Sequence, residues 1–493
     1  MCGIAATTGI ADAAVFDALF APLRHRGPDG SHRLEDRGVR LGCHRLAIVD
    51  PVGGRQPLMS ADGRWVLVFN GEIYNHRALR EQFRRYAFRT ETDGEVLFPL
   101  IAEAGPQGLS RARGMFAFVL VDLASGGFIA ARDPLGIKPL YVMTLGDGYA
   151  FASEMKAFAG LDGPLRFVPP GHYLTRHGLR RYYRPPPRRR RHAPLRRLLE
   201  EAVRTHLPPH GPCGVLLSGG VDSSAVAAIA ARLRPDVTAY TIALEGAPDS
   251  GAAAEVAAHL GIRHVLIKAT AREAREAIAA TIWHLENHHP WMVRNALPLF
   301  LLSRYARAET KVVLGGDGAD ELFGGYDYLA ALAPRAWPQA LEAGINDLHR
   351  TELQRVDRAT MAHGVELRVP FLDLPVVEHA IDVPVSAKIR RSGDRRVTKW
   401  ALRTAVADLL PPSICWREKT PFATGSGFAA LPLFTDGVEE DGVDAPRDAE
   451  ACRQLWEARF SRRAATDRIW ADAARFTDFS ERYGTPLLDL FRR

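Results

Sequence analysis

Residues 214–224 read Gly-Val-Leu-Leu-Ser-Gly-Gly-Val-Asp-Ser-Ser, and this stretch predicts the fold of the longer part of the chain. Its apolar start, Val215 to Leu217, is typical of a short buried strand. Two glycines then predict a sharp turn, and the alanine-rich residues after Asp222 predict a helix. A helix N-terminus after such a turn offers unpaired backbone N–H groups and a favourable dipole to an anion. We therefore expect a phosphate site here.

The side chains of the same loop suit a nucleotide bound with magnesium. Ser218 and Ser223 supply hydroxyl donors, and Asp222 supplies a hard oxygen ligand for Mg²⁺. The loop lacks the Gly-Lys-Ser/Thr ending of a Walker A motif. It resembles instead the Ser-Gly-Gly-x-Asp-Ser loop of the ATP-pyrophosphatase group, which implies that the nucleotide is ATP. By that resemblance the ATP contacts are Leu217, Ser218, Gly219, Gly220, Asp222 and Ser223.

Length and composition exclude several classes of protein. A chain of 493 residues is too long for one ordinary core, so we expect at least two domains. It has no run of eighteen apolar residues, so we expect no membrane span. The 5 scattered cysteines form neither a disulfide framework nor a metal-binding pair, which favours a reducing cytoplasm. The excess of 64 basic over 57 acidic residues is mild and no nucleic-acid motif accompanies it, so we expect small-molecule partners and no nucleic acid.

The N-terminus carries a candidate nucleophile. Removal of Met1 would give Cys2 a free α-amine, which can take the proton of the thiol in the same residue. Four polar motifs follow it, at 24–30, 42–50, 69–75 and 92–95. Apolar strands lie between them, and their aromatic content suits stacked sheets with helices outside.

These motifs resemble a class II glutamine amidotransferase domain, an N-terminal-nucleophile hydrolase with an αββα sandwich. The resemblance implies that Cys2 is the nucleophile and that Asn70 and the N–H of Gly71 form the oxyanion hole. Neutral donors of this kind suit a tetrahedral oxyanion, and an arginine fork suits the carboxylate of glutamine. The implied glutamine-binding residues are Arg45, Ile48, Val49, Asn70, Gly71, Glu72 and Asp93.

A proline- and arginine-rich stretch, 184–194, predicts a linker between a glutaminase domain at 2–183 and a second domain at 195–493. Strands and helices alternate in the second domain, which predicts a doubly wound parallel sheet with its site at the strand ends and a helical C-terminal part. The fold class is therefore α/β overall.

A second glycine- and acid-rich loop follows the buried strand 312–314 and resembles the asparagine synthetase signature. By that resemblance Asp320 joins Asp222 as a magnesium ligand, and Asp317 stands where the family usually has a glutamate assigned to proton transfer. Aspartate keeps the charge but is one methylene shorter. The resemblance also assigns ATP contacts to Ile242, Gly316, Lys399 and Lys419.

The acceptor pocket departs from the family pattern. Where the family has Thr-Thr-x-Arg, this chain has Trp291, Met292 and Arg294 around Val293. Loss of two hydroxyls from an acceptor site would disfavour aspartate, since unpaired buried polar groups discriminate strongly. Trp and Met also serve as packing residues, so the same change is compatible with an unaltered acceptor.

We therefore expect a glutamine-dependent ligase that uses ATP and Mg²⁺ to amidate a carboxylic acid through an acyl-adenylate, with aspartate as the default acceptor and a possible homodimer as its assembly. Four alternatives remain: a different acceptor acid, a β-lactam or macrolactam synthetase, another class II amidotransferase, and a non-catalytic nucleic-acid-binding or scaffold protein. The intact motifs around Cys2 disfavour the second, and the loop at Ser218 disfavours the third.

Overall fold

The amino-terminal part of the chain folds as two antiparallel sheets. The structure is a computed structural model, and it describes residues 1–185, 193–245, 247, 250–326, 329, 332–392, 395–434 and 445–460. Most of the predicted linker and the residues after 460 lie outside the described residues. The first sheet has the strand order β10-β8-β9-β1-β3-β2, and the second has the order β12-β11-β7-β6-β5-β4. The strands are β1 (Cys2–Thr8), β2 (Gly30–Asp36), β3 (Val39–Arg45), β4 (Leu58–Met59), β5 (Trp65–Ile73), β6 (Gly114–Asp122), β7 (Phe128–Arg132), β8 (Tyr141–Leu145), β9 (Gly148–Ala152), β10 (Leu165–Phe167), β11 (His172–Thr175) and β12 (Gly178–Arg181).

Alternating side chains explain why the two sheets stack and why helices cover them. In β5, Val66 and Val68 pack into the core between the sheets, whereas Leu67 and Phe69 face the opposite side. Residues that alternate along a strand point to opposite faces, so each sheet has two apolar faces to bury. The outer faces are covered by helices α1 (Ala13–Phe20), α2 (His76–Gln82) and α3 (Leu97–Ala104). The predicted αββα sandwich is confirmed.

The second domain is built on a five-stranded parallel sheet of order β15-β14-β13-β16-β17. Its strands are β13 (Gly214–Leu216), β14 (Thr238–Leu244), β15 (Arg263–Ala269), β16 (Val312–Leu314) and β17 (Glu366–Arg368). A separate two-stranded sheet pairs β18 (Arg390–Ser392) antiparallel with β19 (Arg395–Val397). The helices are α4 (Leu195–His206), α5 (Val221–Leu233), α6 (Ser250–Leu260), α7 (Ala271–Glu276), α8 (Ile278–Leu285), α9 (Pro290–Ala306), α10 (Ala319–Phe323), α11 (Trp337–Asp347), α12 (Glu352–Met361), α13 (Leu374–Asp382), α14 (Val385–Lys388), α15 (Trp400–Val406), α16 (Pro412–Cys415), α17 (Phe422–Gly425) and α18 (Ala445–Glu457).

The strand order places the two candidate phosphate loops side by side. From β13 the chain adds β14 and β15 on one side, and then β16 and β17 on the other. The order therefore reverses between β13 and β16, and ligands of open α/β sheets bind at such a switch point beyond the carboxyl ends of the strands. The loops at 217–220 and 315–318 leave these two strands. The predicted doubly wound parallel fold is confirmed, and no helix in the described ranges is both long and apolar enough to cross a membrane.

Candidate active sites

Cys2 begins β1 and is buried, with 4% of its surface exposed. The antiparallel register places it opposite Arg45 in β3, and its backbone N–H donates to Oδ1 of Asn70 over 3.0 Å. The sandwich thus brings together the predicted nucleophile in β1, the predicted carboxylate-binding arginine in β3 and the predicted oxyanion donor in β5 of the other sheet.

The surroundings of the Cys2 sulfur favour the thiolate. The pKa of this thiol is lowered to about 6, first by a hydrogen bond from Cys43 and against the opposing effect of burial. Nε2 of Gln56 donates to the sulfur over 3.7 Å. Hydrogen bonds to the charged form of a group stabilise that form, so the nucleophile is prepared without a histidine. Sequence reasoning assigned a role to neither residue: Cys43 lies within the motif at 42–50 but has no part in the implied glutamine site, and Gln56 lies outside the four motifs.

Asn70 and Gly71 have the properties of an oxyanion hole. Nδ2 of Asn70 is buried and has no hydrogen-bond partner among the described residues. An unpaired buried donor is costly, and it becomes useful when a charged oxygen arrives beside it. At Gly71 a Cβ would lie 2.1 Å from the carbonyl oxygen of Met115, so only glycine fits against β6.

The other predicted glutamine contacts surround this point on loops and strand ends. The Arg45 guanidinium donates to the carbonyl oxygens of Pro51 over 2.8 Å and Val49 over 3.3 Å. Ile48 is buried in the same loop. The loop therefore orients the arginine fork through its own backbone, and among the described residues Arg45 forms no ion pair with a carboxylate.

Two buried carboxylates complete the predicted glutamine pocket. Asp93 accepts a hydrogen bond from the backbone N–H of Ile73 over 2.6 Å, and burial raises its pKa. Burial also raises the pKa of Glu72 well above its usual value, although Arg368 opposes this shift from 2.9 Å away. Glu72 thus touches the second domain directly, which its sequence motif did not indicate.

In the second domain the loop after β13 is organised by its own hydroxyls. Oγ of Ser223 accepts from the backbone N–H of Ser218 over 3.2 Å and lies 3.0 Å from the Ser218 hydroxyl. Gly219 has a φ of +76°, and a Cβ there would meet Ala252 at 2.6 Å. Gly220 is the N-cap residue of α5, so the helix begins directly after the loop. This is the strand–turn–helix geometry that anions prefer.

Asp222 and Asp320 meet across the switch point through Lys399. The Lys399 ammonium contacts Asp222 and lies 2.6 Å from Oδ1 of Asp320, while Lys419 contacts Asp320 as well. Burial acts to raise the pKa of Asp320, but the two lysines outweigh it and hold the pKa well below its usual value. All four predicted residues therefore share one cluster.

The same cluster fits a magnesium ion that is also bound by phosphates. Oδ1 of Asp222 is buried and accepts no hydrogen bond from any residue the structure describes. Within those residues no set of three or more His, Cys, Asp or Glu is arranged to hold a metal alone. Mg²⁺ in nucleotide sites needs only one or two carboxylates, because phosphate and water oxygens complete its shell.

Three other predicted ATP contacts line the neighbouring strand ends. The backbone N–H of Leu217 donates to the carbonyl oxygen of Tyr240 over 2.9 Å, which ties the loop to β14. Ile242 lies on β14 and is buried. A Cβ on Gly316 would lie 2.8 Å from the backbone nitrogen of Ser223, so the acidic loop rests directly on the phosphate loop.

Asp317 keeps 17% of its side chain exposed and pairs with Arg355 over 3.0 Å. Burial raises its pKa to about 6, and the attraction of Arg355 only partly offsets that shift. A carboxyl group that titrates near neutral pH is suited to proton transfer. Sequence reasoning missed Arg355, which approaches from α12.

The predicted acceptor residues lie at the start of α9 and divide between two environments. Met292 is 1% exposed and belongs to the apolar core, and Trp291 is half-buried beside it. Arg294 donates through Nε to the carbonyl oxygen of Leu431 over 3.3 Å and pairs with Asp448 of α18. In this structure Arg294 is therefore engaged by the C-terminal part of the chain.

Buried ion pairs join the two domains, and sequence reasoning missed most of them. Arg26 pairs with Glu154 over 2.6 Å and with Asp357 over 2.9 Å. On β17, Arg368 reaches Glu72, and Glu366 lies 3.0 Å from the α-ammonium of Met1. In segment 132–156, Lys138 contacts Asp357 and Lys156 contacts Glu286. A cavity of about 40 Å³ lies at this boundary, lined partly by Tyr141, His349 and Arg358.

Comparison with known proteins gives two family matches. Residues 1–184 match the glutamine amidotransferase domain model, and residues 194–341 and 332–481 match the asparagine synthase model. The chain is 40% identical over 473 residues to asparagine synthetase [glutamine-hydrolyzing] 3 of Arabidopsis thaliana, covering 89% of this chain and 81% of that protein. It is 36% identical over 529 residues to a probable asparagine synthetase [glutamine-hydrolyzing] of Schizosaccharomyces pombe, covering 94% of each. Among solved structures, glutamine phosphoribosylpyrophosphate amidotransferase from B. subtilis aligns with a TM-score of 0.33 and 21% identity over 54% of this chain and 65% of that one.

Proposed function

The chain belongs to the family of glutamine-hydrolysing asparagine synthetases, and from that premise we propose that it converts aspartate to asparagine with glutamine as nitrogen donor and ATP as energy source. One observation carries the proposal beyond the family match. A single chain holds a buried thiol beside an unpaired amide donor, and also a lysine-bridged carboxylate pair at a parallel-sheet switch point. The first suits acyl transfer from an amide, and the second suits adenylation of an acid.

We propose that residues 2–183 release ammonia from glutamine and that residues 195–493 use it, with 184–194 as the connection. The matched family ranges support this division. After removal of Met1, the Cys2 thiolate attacks the side-chain amide carbon of glutamine. The resulting oxyanion receives hydrogen bonds from Nδ2 of Asn70 and the N–H of Gly71. The α-ammonium of Cys2, which holds the proton taken from the thiol, passes that proton to the amide nitrogen, so that collapse of the intermediate breaks the C–N bond, releases ammonia and leaves a thioester. Water then hydrolyses the thioester to glutamate and regenerates the thiol.

The glutamine would be held by groups matched to its charges. Arg45 would bind the α-carboxylate, because a planar guanidinium forms paired hydrogen bonds with a carboxylate. Asp93 would bind the α-ammonium, and Glu72 would line the pocket beside it. Ile48 and Val49 would contribute the backbone of the loop that already orients Arg45.

In the second domain we propose that the loop of Ser218, Gly219, Gly220 and Ser223 holds the phosphates of ATP, with Leu217, Ile242 and Gly316 around the nucleotide. Asp222 and Asp320 would hold Mg²⁺, which when bound neutralises charge on the phosphates. Lys399 and Lys419 would turn from these carboxylates towards the pyrophosphate. The aspartate side chain attacks the α-phosphorus, which gives an acyl-adenylate and pyrophosphate.

The acceptor end of this site is built around Asp317 and α9. Asp317, titrating near pH 6, would take a proton as ammonia attacks the acyl-adenylate. Trp291, Met292 and Arg294 remain the proposed acceptor pocket. The names of the relatives support aspartate over another acid or an internal amine. A homodimer and a cytoplasmic location remain predictions of the sequence.

Two substitutions test whether the sites are separate. Cys2→Ala should abolish glutamine-dependent synthesis and leave ammonia-dependent synthesis within about twofold, because the thiol acts only on glutamine. Asp222→Ala should stop pyrophosphate release and leave glutamine hydrolysis. Cys213→Ala, at another buried cysteine, and Asp236→Ala, at a surface carboxylate, are matched controls.

Each variant would be assayed for pyrophosphate release and glutamate formation, and its products would be identified by chromatography. Loss of both activities in the Cys2 variant would contradict separate sites. Pyrophosphate release across a panel of carboxylic acids tests the acceptor, and selective turnover of an acid other than aspartate would overturn the proposed product.

A further inference from the structure

Cys43 is a buried thiol that the proposed chemistry does not use. It lies in β3 with none of its surface exposed. The register of β1 and β3 pairs Cys2 with Arg45 and Ile4 with Cys43, so the two cysteines stand diagonally on the same face of the sheet. Both side chains lie in the core between the two sheets, and the Cys43 thiol has the largest effect in lowering the pKa of Cys2.

We infer that Cys43 is a positioning residue for glutamine hydrolysis, which keeps its own proton and donates its S–H to the Cys2 sulfur so that the nucleophile is held as a thiolate. This inference rests on the proposed glutaminase function. It assigns Cys43 no covalent role, since the thiol acts only through the hydrogen bond it donates.

The charges and donors around the pair determine which sulfur is ionised. Facing Cys2 are the Gln56 amide, the backbone N–H of Leu46 and the Arg45 guanidinium, all of which favour a negative sulfur. After removal of Met1 the neighbouring α-ammonium is that of Cys2 itself. Burial raises the pKa of Cys43 well above its ordinary value, and the neighbouring Cys2 raises it further. The proton shared by two adjacent thiols therefore stays on Cys43.

Removal of the Cys43 thiol should raise the pKa of Cys2, because the Cys2 thiolate loses a hydrogen-bond donor. A hydrogen bond donated to the charged form of an acid lowers the pKa of that acid by about one to two units. Without Cys43 the pKa of Cys2 would rise from about 6 towards 7 or 8, because burial would then be less opposed. At pH 7 the thiolate fraction would fall about two- to tenfold.

The test compares Cys43→Ala with Cys43→Ser, which retains a hydroxyl donor, and with Cys213→Ala as a buried-cysteine control. The rate of Cys2 alkylation by iodoacetamide is followed against pH in the purified full chain, with the labelled peptide quantified by mass spectrometry. We expect the midpoint to rise by about one to two units in the alanine variant and to stay within about half a unit in the serine variant. The KM for glutamine should be unchanged while kcat at pH 7 falls about two- to tenfold.

A midpoint in Cys43→Ala equal to that of the wild type would overturn the inference, as would an equal shift in Cys43→Ser. Ammonia-dependent synthesis reports whether each variant is folded. If the alanine variant is destabilised, Cys43→Val fills similar space without a donor and gives the same comparison. Glutaminase activity that survives Cys2→Ala would refute the proposed function, while the labelling profile of Cys2 would still test the donor.

Discussion

Substitution of Gly316 by alanine should separate the two loops that form the proposed ATP site. A Cβ at this position would lie 2.8 Å from the backbone nitrogen of Ser223 and 2.9 Å from both the carbonyl carbon and the Cβ of Asp222. Ordinary van der Waals contact begins near 3.4 Å, so the loops must part by about 0.6 Å. Two of the three atoms belong to backbone that cannot rotate away, and the displaced residue is a proposed magnesium ligand.

The size of the effect follows from that displacement. Overpacking of this kind costs about 1–3 kcal/mol of folding free energy, which a chain of this size tolerates at room temperature. A 1 Å misplacement of reacting groups can lower a rate about a hundredfold, so a shift of about 0.6 Å should lower kcat/KM for ATP about tenfold or more. Glutamine hydrolysis at Cys2 should change by less than twofold, because the first domain contains no atom of either loop.

The assay is pyrophosphate release with aspartate and ammonia, measured beside glutaminase activity and the denaturant midpoint. Gly251→Ala is the matched control, since its Cβ would meet no described atom within 4 Å and it lies in the first turn of α6. That variant should be neutral or slightly stabilised, by up to about 1 kcal/mol. Wild-type kcat/KM for ATP in Gly316→Ala would refute the proposed packing of the two loops around the nucleotide.

Three further predictions follow from the charged groups. Lys399→Met should reduce pyrophosphate release at least about a hundredfold and leave glutaminase activity unchanged, and retention of ATP turnover would exclude Lys399 from the site. The raised pKa of Asp317, about 6, predicts that ammonia-dependent synthesis increases as the pH rises through 6. This carboxyl is more easily ionised in the unfolded chain, so its ionisation lowers the free energy of unfolding by up to about 3 kcal/mol as the pH rises from about 4 to about 6. Asp317→Asn should remove the pH dependence of the synthesis rate and this pH dependence of the free energy of unfolding, which kinetic and denaturation measurements would check. Arg368→Met should lower the free energy of unfolding by about 3–5 kcal/mol, because it leaves Glu72 buried without its partner. Arg204→Ala removes a surface ion pair and should lower it by less than about 1 kcal/mol. Equal denaturation midpoints for the two variants would contradict the prediction.

Local patterns were sufficient to predict the elements that surround the sites. The apolar run before Ser218 became β13, and the alanine-rich segment after Gly220 became α5. The apolar and aromatic content of the strands between the first motifs predicted stacked sheets with helices outside, and β5 is buried on both faces as that arrangement requires. These predictions succeeded because strand pairing and helix capping depend on residues close to one another in the chain.

The partners of the site residues were less accessible to sequence reasoning. Cys43 reaches Cys2 from β3 and Gln56 from the loop before β4, and Arg355 reaches Asp317 from a helix that follows the acidic loop by more than thirty residues. None of these pairs has a characteristic spacing. Their side chains meet only because the strands and helices that carry them pack together.

The amino-acid sequence by itself determined the α/β fold class and the family, and it supplied the domain division and the site residues as predictions, because those features depend on contiguous motifs whose backbone geometry is local. Only the tertiary structure decided that Glu72 pairs with Arg368, that Lys399 bridges Asp222 and Asp320, and that Arg294 is bound to Asp448. Burial and long-range charge pairing set these contacts. Both depend on the distance between side chains in the folded molecule, and a linear order of residues does not specify that distance.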